Sequence, residues 1–145
     1  MSASTKLSSS VKALSFLAES YPIPKTSKEI AENTGINASK LRKLLSLLSK
    51  SDIVTSSQGT KGGFLLLKSP KDIHLQEIYC SIEDRKAFHL NVSDVGGNNN
   101  YDFFGYFNEL FAEVQVDIEN KMRKITLQSI MDKLNIRSNF KKDTK

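Results

Sequence analysis

The residues from Thr26 to Ser51 read TSKEIAENTGINASKLRKLLSLLSKS, and this stretch decides the fold. Thr26 stands three residues before Glu29, which is the spacing of a capping box, and Gly35 is placed to end the helix that begins there. Asn37 can cap a second helix. The pattern predicts two short helices joined by a tight turn, which is a helix-turn-helix. The apolar face of the second helix carries four leucines at helical spacing, namely Leu41, Leu44, Leu45 and Leu48.

The glycine-rich stretch QGTKGGFLLLKSP, from Gln58 to Pro70, follows closely. A nucleotide phosphate loop places its lysine after the last glycine and continues into a helix, whereas here Lys61 precedes Gly62 and Gly63 and a β-prone run follows. Together with the β-prone residues 53–57, the stretch predicts a hairpin. A hairpin directly after a helix-turn-helix is a wing, whose tip approaches DNA. The residues predicted at that tip are Gln58, Thr60 and Lys61.

The second helix of a helix-turn-helix enters the major groove with its N-terminal residues toward the base edges. An arginine there can make two hydrogen bonds to guanine, and lysine or serine can reach bases or phosphates. A solvated helix face is the alternative reading of the same residues. The predicted DNA contacts on this helix are Ser39, Lys40, Arg42 and Lys43. Four residues at the start of a first helix predicted over Ser8–Ser20 either hold phosphates or belong to a plain capped terminus, namely Lys6, Ser8, Ser9 and Lys12.

The rest of the chain is predicted to be mainly helical. A fourth helix is expected over Leu75–Ile82, a loop over 86–100, and a long helix from Tyr101 onward, followed by a short terminal helix and a frayed basic tail over 137–145. The winged helix-turn-helix would occupy 1–85 and the dimerisation element 101–136. The apolar stripe of the long helix exceeds what one small domain can cover, so it predicts a homodimer. The residues expected at the dimer contact are Phe107, Phe111, Val114, Ile118 and Met122.

Charge and composition favour a nucleic-acid partner and argue against other classes of function. Residues 1–70 carry a net charge of +6 and residues 71–145 a net charge of −1, so the basic character lies with the helix-turn-helix. No apolar run approaches the ~18 residues of a membrane span, and the first ten residues lack a signal-peptide core. A cytoplasmic protein without a membrane contact is therefore expected.

No constellation of side chains predicts an enzyme, a metal site or a cofactor. His74 and His89 are isolated from other metal-ligating residues, and the single cysteine, Cys80, excludes an all-cysteine metal site within one chain. Cys80 lies among apolar residues at helical spacing, so it is expected to be a small buried hydrophobe with an inert thiol. Single-stranded RNA binding is disfavoured because the basic half lacks stacking aromatics.

Three stretches together resemble the Rrf-two family of bacterial winged-helix repressors: LSSSVKALSFLAE, SKEIAENTGINASKLRKLLSLLSKSDIV and SSQGTKGGFLLLKSPKDIHLQEI. The resemblance spans most of residues 6–85, and the G-x-K-G-G-[FY] wing is its most specific part. It implies a long C-terminal helix that crosses its counterpart in a homodimer.

The chain departs from its relatives at several positions. It has Gln58 where many relatives have an arginine and Arg42 where an acidic residue is common, and residues 83–102 lack the three cysteines of cluster-binding relatives. Asp94-Val95-Gly96 stands nearest to the Cys-Pro-Val-Gly stretch of some cluster-free relatives.

These observations predict a mainly α fold with a small β-hairpin, comprising a winged helix-turn-helix and a long dimerisation helix. The expected function is a sequence-specific regulator, a homodimeric repressor that binds double-stranded DNA at a palindrome. A small-molecule effector could order the loop from Ser93 to Asn100, which offers Asp94 and three asparagines. The alternative is a winged-helix protein–protein interaction module without specific DNA binding.

Overall fold

The computed structural model describes residues 2–83, 95–97 and 100–141. Within these ranges the chain forms six α-helices, one antiparallel hairpin and a short 3₁₀ turn at Pro70–Asp72. Helices and strands follow in the order α1 Ala3–Ser20, α2 Ser27–Thr34, α3 Ala38–Lys50, β1 Val54–Ser57, β2 Gly63–Leu66, α4 Leu75–Ile82, α5 Phe103–Lys124 and α6 Leu127–Lys133. The predicted mainly α fold with a winged helix-turn-helix and a long C-terminal helix is confirmed.

Local capping signals set the ends of α2 and α3. The Thr26 hydroxyl accepts from the Glu29 N–H at 3.1 Å, and the Glu29 carboxylate accepts from the Thr26 N–H at 3.2 Å, which completes the capping box. The Thr26 backbone N–H, its hydroxyl and nearby Lys25 hold the pKa of the Glu29 carboxyl below its ordinary value. Gly35 ends α2 at φ 76°, a backbone conformation that favours glycine. Asn37 caps α3 through the Lys40 N–H at 3.1 Å.

One hydrophobic core holds the helix-turn-helix, the hairpin and the two ends of the chain together. The predicted leucines of α3 are all buried in it. Burying an aliphatic side chain of this size contributes about 1.5 to 3 kcal/mol, so these four positions fix the angle at which α3 sits. The other fully buried large side chains are Leu14, Leu17, Ile30, Ile53, Val54, Ile73, Ile78, Leu127 and Met131.

The hairpin pairs Val54 with Leu66 and Ser57 with Gly63. The segment before α2 pairs with the hairpin as well. Lys25 and Phe64 form an isolated antiparallel bridge, with backbone hydrogen bonds of 2.7 and 3.2 Å. A Cβ added at Gly63 would stand 2.6 Å from the carbonyl carbon of Lys25. The glycine is therefore required where the chain before α2 crosses the wing.

The junction of α5 and α6 is tied to α4 by main-chain bonds. The Leu75 N–H donates to Ile125 at 2.8 Å, and the Leu127 N–H donates to Ile73 at 2.8 Å. On α5, Gln115 and Met122 are buried, whereas Phe103 and Phe104 are exposed. The C-terminal half of α5 thus belongs to the core, and the N-terminal half leaves it.

Met122 is the first correction to the sequence predictions. It was expected at a dimer contact, but it is 6% exposed and packs inside its own chain, because the end of α5 must cover the core beneath α4 and α6. Ile118 packs partly against the same core.

Cys80 is the second correction, since it is exposed rather than buried. The buried face of α4 carries Ile78, Tyr79 and Ile82, and a residue two positions after Ile78 points to the opposite side of a helix. Its thiol accepts from the Gln76 amide at 3.4 Å. The expectation of an inert thiol, which rested on burial, loses its basis.

The chain ends are the third correction. Helix α1 begins at Ala3, capped by Ser2, so Ser8 lies in its second turn rather than at its start. The described part of the predicted frayed tail, up to residue 141, is docked, because the Asn139 N–H donates to the Ala18 carbonyl at 2.9 Å and its side-chain amide donates to the Glu19 carbonyl at 2.6 Å. The Phe140 ring lies 4.6 Å from that of Tyr21. Half of the proposed sensing loop Ser93–Asn100, including Asp94, lies outside the described residues, and so does His89.

Candidate nucleic-acid interface

The outer face of α3 presents the four residues predicted to contact DNA. Ser39, Lys40, Arg42 and Lys43 are all exposed, while the leucines between them are buried. The burial of the leucines sets the rotation of α3 about its axis, so it also aims the cationic residues outward. This arrangement brings the four predicted residues to one surface.

Sequence reasoning missed two further residues on this face. Ser46 and Leu47 line a shallow depression with Ser39, Arg42 and Lys43. Ser46 follows Arg42 by four positions, which is one helical turn, so helical spacing alone could have identified it. The face therefore extends along α3 beyond its first turns.

The wing presents its tip to solvent. Every residue from Thr55 to Lys61 is exposed, including Gln58 and Thr60. The turn is closed by the Gly62 N–H, which donates to the Gly59 carbonyl at 3.0 Å. Gly59 has φ 112°, a conformation that an L side chain rarely adopts. The wing tip is thus a compact turn with one lysine at its end.

Positive charge on this surface is uncompensated within the described part of the chain. Lys40, Arg42, Lys43 and Lys61 make no ion pair there, whereas Lys25 and Lys68 pair with Glu29 and Glu77. Unpaired cations on an exposed surface suit a polyanion, because each can neutralise a phosphate and release a counterion. Four such cations lie on α3 and the wing.

Ser8 and Lys12 lie elsewhere. Both line an apolar groove of about 640 Å³ between α1 and α6, together with Val11, Phe16, Leu75, Ile130, Leu134 and Ile136. The structure does not bring them to the clefts lined by the α3 residues. Contact of Ser8 and Lys12 with DNA stays a prediction, because neither residue lines a cleft with the cationic residues of α3.

The predicted dimer contacts divide along α5. Phe107 and Phe111 are partly exposed, with ring centroids 5.6 Å apart, and Val114 is 37% exposed. Ile118 is half-covered by its own chain. The residues that remain available for a partner therefore lie between Phe103 and Val114.

Comparison with known proteins places this geometry in a family. The family described as "Rrf2: Iron-dependent Transcriptional regulator" matches residues 3–133. The chain belongs to the Rrf2 family. A protein of Bacillus subtilis (strain 168) named "Putative HTH-type transcriptional regulator YwnA" is 34% identical over 117 residues, which cover 76% of this chain and 84% of that protein. The resemblance read from the sequence is confirmed.

Solved structures share the fold. The structure of T. potens IscR superposes on this chain with a TM-score of 0.68. Its sequence is 27% identical, and the match covers 90% of this chain and 85% of IscR. The structure of CymR, the global cysteine regulator of B. subtilis, has a TM-score of 0.67 to this chain. Its sequence is 21% identical, and the match covers 89% of this chain and 95% of CymR. At this identity the likeness supports the fold alone. Rrf2-family regulators are built on a DNA-binding winged helix, and the chain shares it. No helix among the described residues is long and apolar enough to cross a membrane.

The iron in the family description does not fit the donors of this chain. An iron–sulfur cluster is held by several thiolates, and the sequence contains one cysteine, Cys80 on α4. Among the described residues no group of three or more His, Cys, Asp or Glu side chains is arranged to hold a metal ion. No step of the function below runs through iron.

Proposed function

We propose that this Rrf2-family regulator is a sequence-specific DNA-binding repressor that acts as a homodimer on a palindromic operator. A bacterial protein of this kind works in the cytoplasm, where the chromosome lies. The proposal goes beyond membership of the family, which supplies the DNA-binding fold and the role in transcription. The exposed face of α3 and the apolar stretch of α5 support the sequence preference and the dimer, and the resemblance to winged-helix repressors supports the direction of regulation.

The observation that carries the proposal is the outer face of α3. Exposed Arg42 and Lys43 stand on the helix that a helix-turn-helix inserts into the major groove, and the buried leucines hold that face outward. Arg42 supplies the bidentate donor geometry that selects guanine, whereas lysines of α3 and Lys61 of the wing contact phosphates and set register.

The stretch of α5 from Phe103 to Val114 supports the dimer. Phe103, Phe104 and Val114 form part of one apolar face that leaves the core, at 58, 41 and 37% exposure. An isologous pairing covers the same patch on both chains at once. Two heads held in this way present their α3 helices to successive major grooves, and the operator is then a palindrome whose half-sites lie roughly one helical turn apart.

A small-molecule effector remains part of the proposal. The groove between α1 and α6, of about 640 Å³, lies within the ~300–1,000 Å³ that drug-sized ligands occupy. One of its walls is α1 of the DNA-binding head and the other is α6, which follows α5. A ligand with different affinity for two arrangements of these helices would shift the population between them.

The rival function is a protein–protein interaction module in which the basic face of α3 has no role. Selection of bound duplexes from a random pool at a stated salt concentration decides between them. We expect recovery of a palindromic consensus whose half-site spacing matches two symmetric heads. Recovery of unrelated sequences, bound no more tightly than the starting pool, would establish the rival.

A further inference from the structure

Lys6 of α1 lies beside two lysines of α3. Lys6, Lys40 and Lys43 line one cleft of about 280 Å³ between α1, α3 and the end of α4. The other lining residues of this cleft are apolar: Leu44, Leu47 and Ile82. Three long cationic side chains from two helices therefore meet at the flank of the face that carries Arg42. We call this the three-lysine cleft.

One carboxylate stands at the edge of the three-lysine cleft. Glu83 follows Ile82 directly, and its Oε1 lies 3.0 Å from the Lys6 ammonium nitrogen. The Glu83 side chain is only 16% exposed and that of Lys6 is 36% exposed, so the carboxylate is largely covered and the ammonium still reaches solvent. Lys40 and Lys43 have no such partner among the described residues.

We propose that Lys6 is a further phosphate contact of the DNA interface and that Glu83 competes with the phosphate for its ammonium group. The inference rests on the proposed DNA binding and adds a residue of α1 and an opposing acid to it. A backbone phosphate drawn to Lys40 and Lys43 enters a cleft that Lys6 also lines. In this cleft the phosphate meets a third cation, Lys6. It is also repelled by the Glu83 carboxylate, which pairs with Lys6 in the DNA-free chain.

The competition lowers affinity without changing sequence preference. Phosphates carry no direct sequence information, so a residue that contacts or repels them affects every duplex to a similar extent. Glu83 thereby sets how tightly the head holds DNA of any sequence, while the base-reading residues of α3 set which sequence it prefers.

The test is a double-mutant cycle on a mixed-sequence duplex, titrated at several salt concentrations. We expect Glu83→Gln to tighten binding about two- to fivefold, which is the range of a partly exposed ion pair. Lys6→Gln should weaken binding and reduce the slope of log affinity against log salt by about 0.9, the value for one lost phosphate contact. In the Lys6→Gln background, Glu83→Gln should have little effect.

Two controls isolate the pair. Glu19→Gln removes the same charge from α1, where the side chain lines the apolar groove instead of the three-lysine cleft, and should leave affinity nearly unchanged. Lys6→Arg keeps the cation and should keep the salt slope of the wild type. Thermal unfolding of each variant establishes that the folded populations are equal, and Lys6→Met, which keeps the apolar stem without the charge, replaces Lys6→Gln if that variant is less stable.

Three results would overturn the inference. Equal tightening by Glu83→Gln with and without Lys6 would show a general field effect rather than competition for Lys6. An unchanged salt slope in Lys6→Gln would remove Lys6 from the interface while leaving the proposed function intact. A wild-type chain that binds no duplex at low salt would overturn the proposed function together with this inference.

Discussion

At the scale of single residues, the cations of the proposed interface differ in what they can recognise. Arg42 has a planar, rigid donor fork that matches two acceptors on guanine, whereas Lys61 has a flexible point charge that suits a phosphate oxygen. Both are exposed and make no ion pair with a described residue. From their positions, on α3 and at the wing tip, we propose base reading for the first and backbone contact for the second.

Substituting each with alanine should separate these roles. Arg42→Ala should relax preference at one base position of the selected operator, at a cost of about 1 to 3 kcal/mol, with little change for unrelated duplexes. Lys61→Ala should weaken all duplexes similarly and reduce the salt slope by about 0.9. Titrations of the operator, its single-base variants and an unrelated duplex measure both effects. A uniform loss for Arg42→Ala would remove it from base reading.

The burial of single residues was predicted correctly at some positions and wrongly at others. Leu41 and Leu44 were predicted correctly because their burial repeats at helical spacing in one segment. Cys80 was misplaced because α4 spans only two turns, and its apolar neighbours do not show which of two opposite faces meets the core. Only the packing of α4 against α1, α3 and α5 decides that rotation.

At the scale of elements, the wing depends on the segment that precedes α2. Lys25 pairs with Phe64 through two backbone hydrogen bonds, and Gly63 allows the two chains to approach. Anchoring on both sides holds β2 against the head, which fixes where the wing tip lies. The two-stranded hairpin of β1 and β2 would by itself be marginal in water.

Gly63→Ala should therefore destabilise the chain by about 1 to 3 kcal/mol, because an overpacked methyl group displaces the Lys25 backbone. Gly59→Ala is the matched control, since Gly59 also has a positive φ but would place its Cβ at least 4 Å from any other atom. Denaturant unfolding should show the larger loss at Gly63. Equal losses would mean that backbone strain, rather than the crossing of Lys25, explains both glycines.

Elements specified by neighbouring residues were predictable, and those specified by distant ones were not. The ends of α2 and α3 depend on caps within three residues, namely Thr26 with Glu29 and Asn37 with Lys40, so their signals can be read directly. The Lys25–Phe64 pairing and the docking of Asn139 join positions far apart in the sequence. Neither leaves a local pattern, which is why the pairing of Lys25 with the wing was missed and the tail was expected to fray.

At the scale of the whole molecule, α5 has two parts. One part packs into the core of its own chain, and the other exposes apolar side chains to solvent. Its C-terminal part packs through Gln115 and Met122, and its N-terminal part exposes Phe103 and Phe104. A soluble chain rarely leaves such a contiguous face open. The two-fold pairing proposed above covers it without engaging the DNA-binding surface on α3 and the wing.

Val114→Glu should convert the dimer to a monomer that remains folded, because this side chain lies on the exposed stripe and outside the core. Val116→Glu is the control, since it makes the same substitution on the opposite side of α5, where Val116 is 53% exposed. Sedimentation should show monomers for the first and dimers for the second. A fully dimeric Val114→Glu chain would move the dimer contact away from this stripe.

The contacts between the C-terminal tail and α1 can form only late in the synthesis of the chain. The Asn139 side chain bonds to a carbonyl 120 residues earlier in the sequence, so this contact forms only after nearly the whole chain has left the ribosome. The helix-turn-helix and wing lie in the first half of the chain and leave the ribosome before the tail does. Until the tail arrives, the C-terminal end of α1 lacks the Phe140 ring against Tyr21. The exposed face of α3 and the wing are thus synthesised first, and the residues that cover the end of α1 are synthesised last.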